Sequence, residues 1–267
     1  MAKGWSRRPD KFMLRYTAGV AARYDRIGHG YSAHRREDPR IAARIHGALG
    51  GARSVVNVGA GAGSYEPPHC HVIAIEPSDV MAAQRPPERV PAIRAFADAL
   101  PLRDGSVDAA MAILTVHHWD DAREAGVKEL RRVARGPVVV LTFDAEVSGR
   151  MWLMADYLTE VAELDRRIFP PPETIAQWLG GGRVETVPLA VDTPDRMLGA
   201  FWAHPERVLD ADARNATSGF ARQPPEVVER VVTALAADLE SGAWQAKHGY
   251  LRDLDEYDAG LRLVVSG

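Results

Sequence analysis

The stretch that decides the fold is Arg53–Glu76, which reads RSVVNVGAGAGSYEPPHCHVIAIE. Its two apolar runs predict buried parallel strands, and the second run ends at Glu76. Between the runs lie Gly59, Gly61 and Gly63, which allow the backbone to turn tightly and to lie directly against a ligand. An acid at the carboxyl end of the second strand of such a unit is well placed to accept hydrogen bonds from a ribose. The stretch therefore predicts a site for a nucleoside cofactor.

The residues after the glycine turn indicate which nucleoside cofactor the site would bind. A dinucleotide site needs a third glycine where Ser64 stands, and a full helix whose N-terminus binds the pyrophosphate. Pro67 and Pro68 follow so closely that at most one helical turn fits, around Ser64–Glu66. S-adenosylmethionine has a ribose but no phosphate, so the turn only has to lie flat against its methionine part and ribose. The stretch favours this methyl donor over NAD(P).

Composition narrows the class of protein. The 267 residues are 46% hydrophobic and 26% charged, which is typical of one large soluble domain or two modest ones. A net charge of −3 argues against a general nucleic-acid-binding protein. The single cysteine, Cys70, excludes an intramolecular disulfide, and no apolar run reaches the roughly 20 residues of a membrane span. We expect a cytoplasmic monomer or homodimer with no nucleic-acid or membrane partner.

Strands and helices alternate along the first half of the chain, which indicates an α/β fold with a doubly wound, mostly parallel sheet. A helix is predicted from Asp38-Pro39, with Asp38 as its N-cap. The predicted strands lie at 54–58, 72–75, 92–96, 107–116, 138–143, 184–191 and 260–265. Seven strands are thus expected, with a helical insertion between the last two that includes an amphipathic helix near 225–240. We divide the chain into an N-terminal lid segment (1–37), a donor-binding core (38–191 and 258–267) and a helical acceptor lid (192–257).

Four segments follow one another in a fixed order: Asn57–Gly63, Ala74–Ser78, Ala97–Leu102 and Ser106–Trp119. In this order and spacing the chain resembles class I S-adenosylmethionine-dependent methyltransferases, specifically the small-molecule type 11 group that includes quinone C-methyltransferase-like enzymes. The resemblance is strongest across residues 20–143. It implies a Rossmann-like methyltransferase fold and S-adenosyl-L-methionine as the cofactor.

The resemblance also implies which residues bind the donor. They are Tyr31, Arg35, Asn57, Gly59, Ala60, Gly61, Glu76, Pro77, Ala97, Asp98, Ala99, Leu114 and Thr115. Glu76 would hold both ribose hydroxyls and Asp98 would contact the adenine amino group, although each could also be a plain strand-end or loop acid. Tyr31 and Arg35 would cover the donor and pair with its carboxylate, or they form a helix-surface pair.

One position departs from the family. Asn57 stands where the family usually has aspartate or glutamate near the methionine amino group. Because an amide carries no charge, attraction for the ammonium must come from another residue.

His117 and His118 are the candidate catalytic residues. Methyl transfer is an in-line displacement in which alignment does most of the work, and a base helps only when the nucleophile must lose a proton. The pair could instead be structural. His69-Cys70-His71 predicts no metal site, because no second ligand cluster is near in sequence. Met151, Met154, Met197 and the tryptophans of the second half either line an apolar acceptor pocket or belong to the core.

The sequence therefore predicts a methyltransferase that moves a methyl group from S-adenosylmethionine to O, N or C of a small-molecule acceptor. An insertion large enough to enclose an acceptor favours secondary metabolism. Two alternatives stay open: a non-catalytic S-adenosylmethionine-binding protein and, less favoured, an NAD(P)-dependent oxidoreductase.

Overall fold

The computed structural model describes residues 36–215 and 217–267, so the predicted lid segment 1–37 lies almost wholly outside the described residues. The strands are β1 (Ser54–Val58), β2 (His71–Ile75), β3 (Ala109–Ile113), β4 (Val138–Phe143), β5 (Arg183–Thr186), β6 (Leu189–Ala190), β7 (Glu256–Tyr257) and β8 (Leu261–Ser266). Six of them form the central sheet in the order β2-β1-β3-β4-β8-β5. The first four run parallel, and β8 is antiparallel to both of its neighbours. The doubly wound, mostly parallel α/β fold is thereby confirmed.

Helices cover both faces of this sheet. The α-helices are α1 (Pro39–Leu49), α2 (Asp79–Ala82), α3 (Arg123–Val133), α4 (Ala145–Ser148), α5 (Thr159–Ile168), α6 (Pro172–Trp178), α7 (Ala211–Asn215), α8 (Ser218–Ala221), α9 (Pro225–Ser241) and α10 (Ala243–His248). Five 3-10 helices span Val116–His118, Asp120–Ala122, Leu198–Phe201, Pro205–Val208 and Gly249–Asp253, and a π-helix spans Leu153–Tyr157. The central strands β1, β3, β4 and β8 are buried on both faces because two hydrophobic clusters, one on each side, enclose them.

The cap of α1 forms as predicted. The Asp38 carboxylate accepts a hydrogen bond from the Arg40 N–H at 2.8 Å, and Ile41, Ile45 and Leu49 are buried on one face. Gly50, with φ of 61°, ends the helix.

The prediction of a seventh strand in the central sheet is wrong. Residues 92–96 pair with β2 only through one bridge, between Ile75 and Ile93. Pro91 has no N–H to donate, so pairing cannot extend toward the preceding residues. The described sheet therefore has six strands, and Ile93 stays 47% exposed at its edge.

Two further predicted strands are shorter than expected. The predicted strand 107–116 is limited to β3, because Leu114 adopts a φ of 51° and turns the chain. The predicted strand 184–191 divides into β5 and β6 around Pro188, which lacks the N–H needed to continue a ladder. β6 pairs with β7 in a separate two-stranded sheet, and the helical segment α7–α10 runs between these two strands.

The connection from β1 to β2 has no helix in the described chain, as Pro67 and Pro68 predict. Instead, Tyr65 and Glu66 are buried within it, at 1% and 3% exposure. This connection therefore gains its order from side-chain contacts, which also shape the site beside it.

Candidate active site

A cavity of about 700 Å³ lies at the carboxyl ends of β1, β2 and β3. Of the residues predicted from the sequence, it is lined by Asn57, Gly59, Ala60, Gly61, Glu76, Pro77, Ala97, Asp98, Leu114, Thr115 and His118. Ala99 is not part of this lining, and Tyr31 and Arg35 lie outside the described residues. We call this space the donor cavity.

Gly59 fixes the floor of the donor cavity. Its φ of 71° is in the left-handed region, and its N–H and that of Ala60 both donate to the Ile75 carbonyl at 2.9 Å. A Cβ atom at this position would overlap the side chain of Thr115, lying 2.8 Å from its Cβ. Only glycine therefore allows β1 and the end of β3 to approach so closely.

Glu76 is buried at the end of β2, with 7% exposure. Its Oε2 accepts the Gly61 N–H at 2.9 Å, and its Oε1 accepts the Ser78 N–H at 2.8 Å. Burial raises the pKa of this carboxyl, and these two N–H groups and Arg85 oppose that shift. Each oxygen keeps a second lone pair for an incoming hydroxyl group.

Asn57 is buried beneath the glycine turn. Its Nδ2 donates to Glu66 Oε1 at 3.0 Å, while its Oδ1 has no hydrogen-bond partner among the described residues. Arg85 Nη2 lies 2.9 Å from both oxygens of Glu66, and Arg85 Nη1 donates to the Gly61 carbonyl at 3.2 Å. The negative charge next to Asn57 is thus already neutralised by an arginine.

A further carboxylate reaches the donor cavity from the start of the described chain. Glu37 lines the cavity, and its Oε1 accepts the Tyr65 N–H at 2.8 Å and Arg89 Nη2 at 3.2 Å. The Tyr65 hydroxyl donates to Asp195 Oδ2 at 3.1 Å. Sequence reasoning missed Glu37, Tyr65 and Arg89, because these contacts join residues far apart in the chain.

The turn after β3 carries the predicted histidines. His118 lines the donor cavity, whereas His117 lies behind it, stacked on Phe169 with ring centroids 4.0 Å apart. Burial above all, and then the nearby charges of His118, Arg222 and Arg123, lower the pKa of His117 well below its usual value. His117 is therefore a neutral imidazole at neutral pH.

A smaller cavity of about 90 Å³ adjoins the donor cavity, and we call it the acceptor cavity. Leu114, His118, Ser218 and Arg222 line both cavities. Met154 and Met197 belong to the core cluster and also line this cavity, whereas Met151 and the buried Trp152, Trp202 and Trp244 belong to the core cluster alone. Asp165 and Arg222 also line it. No local pattern marks these two in advance, since each is one charged residue among many.

Three other features of the described residues concern metal ligands, the cysteine and membrane spans. No three His, Cys, Asp or Glu side chains of this part of the chain come together as a metal site would require. Cys70 donates to the Ala52 carbonyl at 3.1 Å, and burial raises the pKa of its thiol. Within 36–215 and 217–267, no helix is long and apolar enough to cross a bilayer.

Comparisons with known proteins agree with this geometry. A family profile described as "Methyltransferase domain" matches residues 56–140. A solved structure from Anabaena variabilis, described as a methyltransferase from an antibiotic biosynthesis pathway, is 32% identical with a TM-score of 0.81. The match covers 88% of this chain and 99% of that one. No protein with curated annotation matches.

Two more distant solved structures add no more than the fold. The [4+2]-cyclase SpnF is 15% identical, with a TM-score of 0.50 over 96% of each chain. The geranyl diphosphate C-methyltransferase of Streptomyces coelicolor, solved with S-adenosyl-L-homocysteine, is 13% identical with a TM-score of 0.46, over 98% of this chain and 85% of that one.

Proposed function

Because the chain belongs to the class I S-adenosylmethionine-dependent methyltransferases, we propose that it transfers a methyl group from S-adenosylmethionine to a small-molecule acceptor of secondary metabolism. The Anabaena structure supports the metabolic context, since it is described as part of an antibiotic biosynthesis pathway. The cytoplasmic location and the monomeric or homodimeric state expected from the sequence stay predictions.

The observation that carries the proposal is the setting of Glu76. Two backbone N–H groups fix its carboxylate at the end of β2, and each oxygen keeps one lone pair toward a cavity large enough for an adenosine ligand. This arrangement supports binding of the two ribose hydroxyls. Asp98 lines the same cavity, and the family resemblance assigns it to the adenine amino group.

The other end of the donor requires an acceptor for its ammonium group. Asn57 Oδ1 is buried without a partner among the described residues, and Glu37 adds a carboxylate to the same cavity. We assign the ammonium to these two residues, with Asn57 Oδ1 accepting a hydrogen bond from it and Glu37 adding a carboxylate whose Oε1 is already shared with Arg89. When bound, the donor supplies an electrophilic methyl group on a sulfonium.

The helical segment between β6 and β7 supports the proposed role as acceptor lid. Ser218, in α8, and Arg222, just after it, line both the donor and the acceptor cavity. A base role for His117 or His118 stays a proposal. His118 is the better placed of the two, because it also lines both cavities.

Calorimetric titration with S-adenosylhomocysteine tests the donor site. We expect Glu76→Ala to weaken binding roughly 10- to 100-fold, since hydrogen bonds to a charged group contribute about 1.5–3 kcal/mol. Glu88→Ala is the control, because Glu88 is an exposed acid outside the cavity lining. Unchanged affinity in Glu76→Ala would show that the ribose assignment is wrong.

The same titration separates the alternatives. Tight NADH binding without binding of S-adenosylmethionine would favour an oxidoreductase. Binding of both S-adenosylmethionine and S-adenosylhomocysteine, with no methyl transfer to any acceptor, would favour a non-catalytic binding protein.

A further inference from the structure

The acceptor cavity concentrates polar atoms that lack partners. His117 Nδ1, Ser148 Oγ and Arg222 Nε are buried, and none of them makes a hydrogen bond among the described residues. The Asp165 carboxylate lines the same space and likewise accepts no hydrogen bond in this part of the chain. Buried polar groups are normally paired, so three buried unpaired atoms and a half-buried carboxylate around one small space point to a polar ligand atom there.

Most of the remaining lining is apolar, although His118, Thr217 and Ser218 add polar side chains. The apolar side chains include Phe143, Met154, Val161, Phe169 and Met197. Phe169 is stacked on His117 with only 20° between the ring planes, which gives one flat wall. Such a lining suits a flat, apolar group that carries one polar atom.

The two charged residues of the acceptor cavity have opposite signs but do not neutralise each other by contact. Arg222 lowers the pKa of Asp165, yet the two side chains form no ion pair within the described residues. Burial dominates and raises the pKa of Asp165 to about 7. The other charged or titratable groups nearby are His117, His118 and Arg123. The lowered pKa of His117 makes its imidazole a weaker base than the Asp165 carboxylate, so Asp165 is the better proton acceptor of these two.

We propose that the acceptor cavity binds a hydroxyl group on a flat apolar acceptor, such as a phenol or enol, with Asp165 accepting its proton and Arg222 stabilising the oxygen. This inference rests on the proposed methyl transfer. The O–H bond breaks and its proton passes to the Asp165 carboxylate. The oxygen forms the new bond to the methyl carbon, and the sulfur of the departing thioether keeps the electron pair of the C–S bond.

Charge favours a hydroxyl over an amine. A hydroxyl oxygen gains negative charge as its proton leaves, and the Arg222 guanidinium stabilises that charge. An amine nitrogen gains positive charge as it is methylated, which Arg222 opposes.

Phenol is a suitable probe, with S-adenosylhomocysteine saturating the full chain. Methionine methyl NMR reports both cavities, because Met154 and Met197 line the acceptor cavity and Met81 lines the donor cavity. We expect S-adenosylhomocysteine to shift Met81, and added phenol to shift Met154 and Met197 with little effect on Met81. Benzylamine at the same concentration is expected to leave all three unchanged.

Variants then test the two charged residues. Arg222→Gln is expected to weaken phenol binding at least about 5-fold, since a charge-assisted hydrogen bond is lost. In the wild type, phenol affinity should rise with pH as Asp165 ionises near pH 7, and Asp165→Asn should remove this dependence. Glu163→Gln, an exposed change on the same helix, should keep it.

The outcomes are distinct. Absence of S-adenosylhomocysteine binding in the wild type would overturn the proposed function itself. If S-adenosylhomocysteine binds but phenol shifts neither Met154 nor Met197, or benzylamine shifts them as strongly, the hydroxyl proposal is wrong and the methyltransferase proposal stands. Phenol binding with the same pH dependence in Asp165→Asn would remove Asp165 from it.

Discussion

The donor cavity and the acceptor cavity differ in how many of their polar groups have hydrogen-bond partners within the protein. Beside the donor cavity, the carboxylates of Glu66 and Glu76 are held by an arginine and by backbone N–H groups. In the acceptor cavity, Arg222 Nε and Ser148 Oγ make no hydrogen bond among the described residues, and Asp165 accepts none there. The carboxylates beside the first cavity are preorganised by protein contacts, with Asn57 Oδ1 left for the ligand, whereas the second cavity leaves most of its polar groups for a ligand.

This difference has an energetic consequence. A satisfied buried polar group stabilises the fold when it is kept and destabilises it when its partner is removed. An unsatisfied one costs stability as long as it is present. Removing a paired polar group beside the donor cavity, which we call the donor half, should therefore lower the stability of the fold. Removing an unpaired polar group of the acceptor cavity should raise it.

The largest effect is expected at Glu66. Glu66→Ala leaves Arg85 buried without its carboxylate, and breaking such a buried pair typically costs about 3–5 kcal/mol. Urea unfolding measures this loss. Glu124→Ala removes only the exposed pair with Lys128 and should cost less than about 0.5 kcal/mol. A loss below about 1 kcal/mol for Glu66→Ala would contradict the description of the donor half as preorganised.

Gly59→Ala comes next. The new Cβ adds both a left-handed backbone cost of about 1–2 kcal/mol and an overlap with Thr115, so we expect a total loss of about 2–4 kcal/mol. Gly180→Ala is the matched control, because Gly180 has a φ of 83° but a Cβ atom added there would meet no other atom within 4 Å. Its loss should equal the backbone cost alone. Equal losses in the two variants would show that Thr115 is not in close contact with Gly59.

These two halves also differ in how well the sequence predicts them. Gly59 and Glu76 belong to one continuous stretch whose spacing reflects a local strand–turn–strand unit, so their places follow from the pattern. The absence of a helix after the turn, within the described chain, follows equally from Pro67 and Pro68.

The rest depends on tertiary contacts that no local pattern contains. Glu66 is one acid in a loop until the fold places Arg85 against it, and Asp165 and Arg222 meet only because α5 and the end of α8 face the same cavity. Pro188 predicts part of the split of the predicted strand 184–191. The pairing of β6 with β7 cannot be predicted in this way, because the whole helical insertion separates the two strands in sequence.

Asp165→Asn should act in the opposite direction to the donor-half variants. The pKa of Asp165 is about 7 in the folded protein and near 3.8 in the unfolded chain, so the folded form binds more protons between these values. Stability therefore falls as pH rises through this window and is lowest above it. We expect Asp165→Asn to gain about 1–2 kcal/mol at pH 8, allowing for partial exposure, and less at pH 5.

Thermal unfolding at both pH values measures this gain. Glu163→Gln, on the exposed side of α5, should change stability at neither pH. A destabilised Asp165→Asn protein at pH 8 would mean that the carboxylate has a stabilising partner, and the contrast between the cavities would then be lost.

The smallest effect gives the most closely matched comparison, because it makes one substitution at two equally buried serines. Ser78 Oγ accepts the Met81 N–H at 3.3 Å and caps α2, so Ser78→Ala should cost about 1 kcal/mol. Ser148 is also buried, at 2% exposure against 1% for Ser78, but its Oγ has no hydrogen bond among the described residues. Ser148→Ala should therefore be neutral or stabilising by up to about 1 kcal/mol. Chemical unfolding of the two variants side by side decides the point, since a similar loss in both would mean that Ser148 is satisfied within the fold and is not reserved for an acceptor.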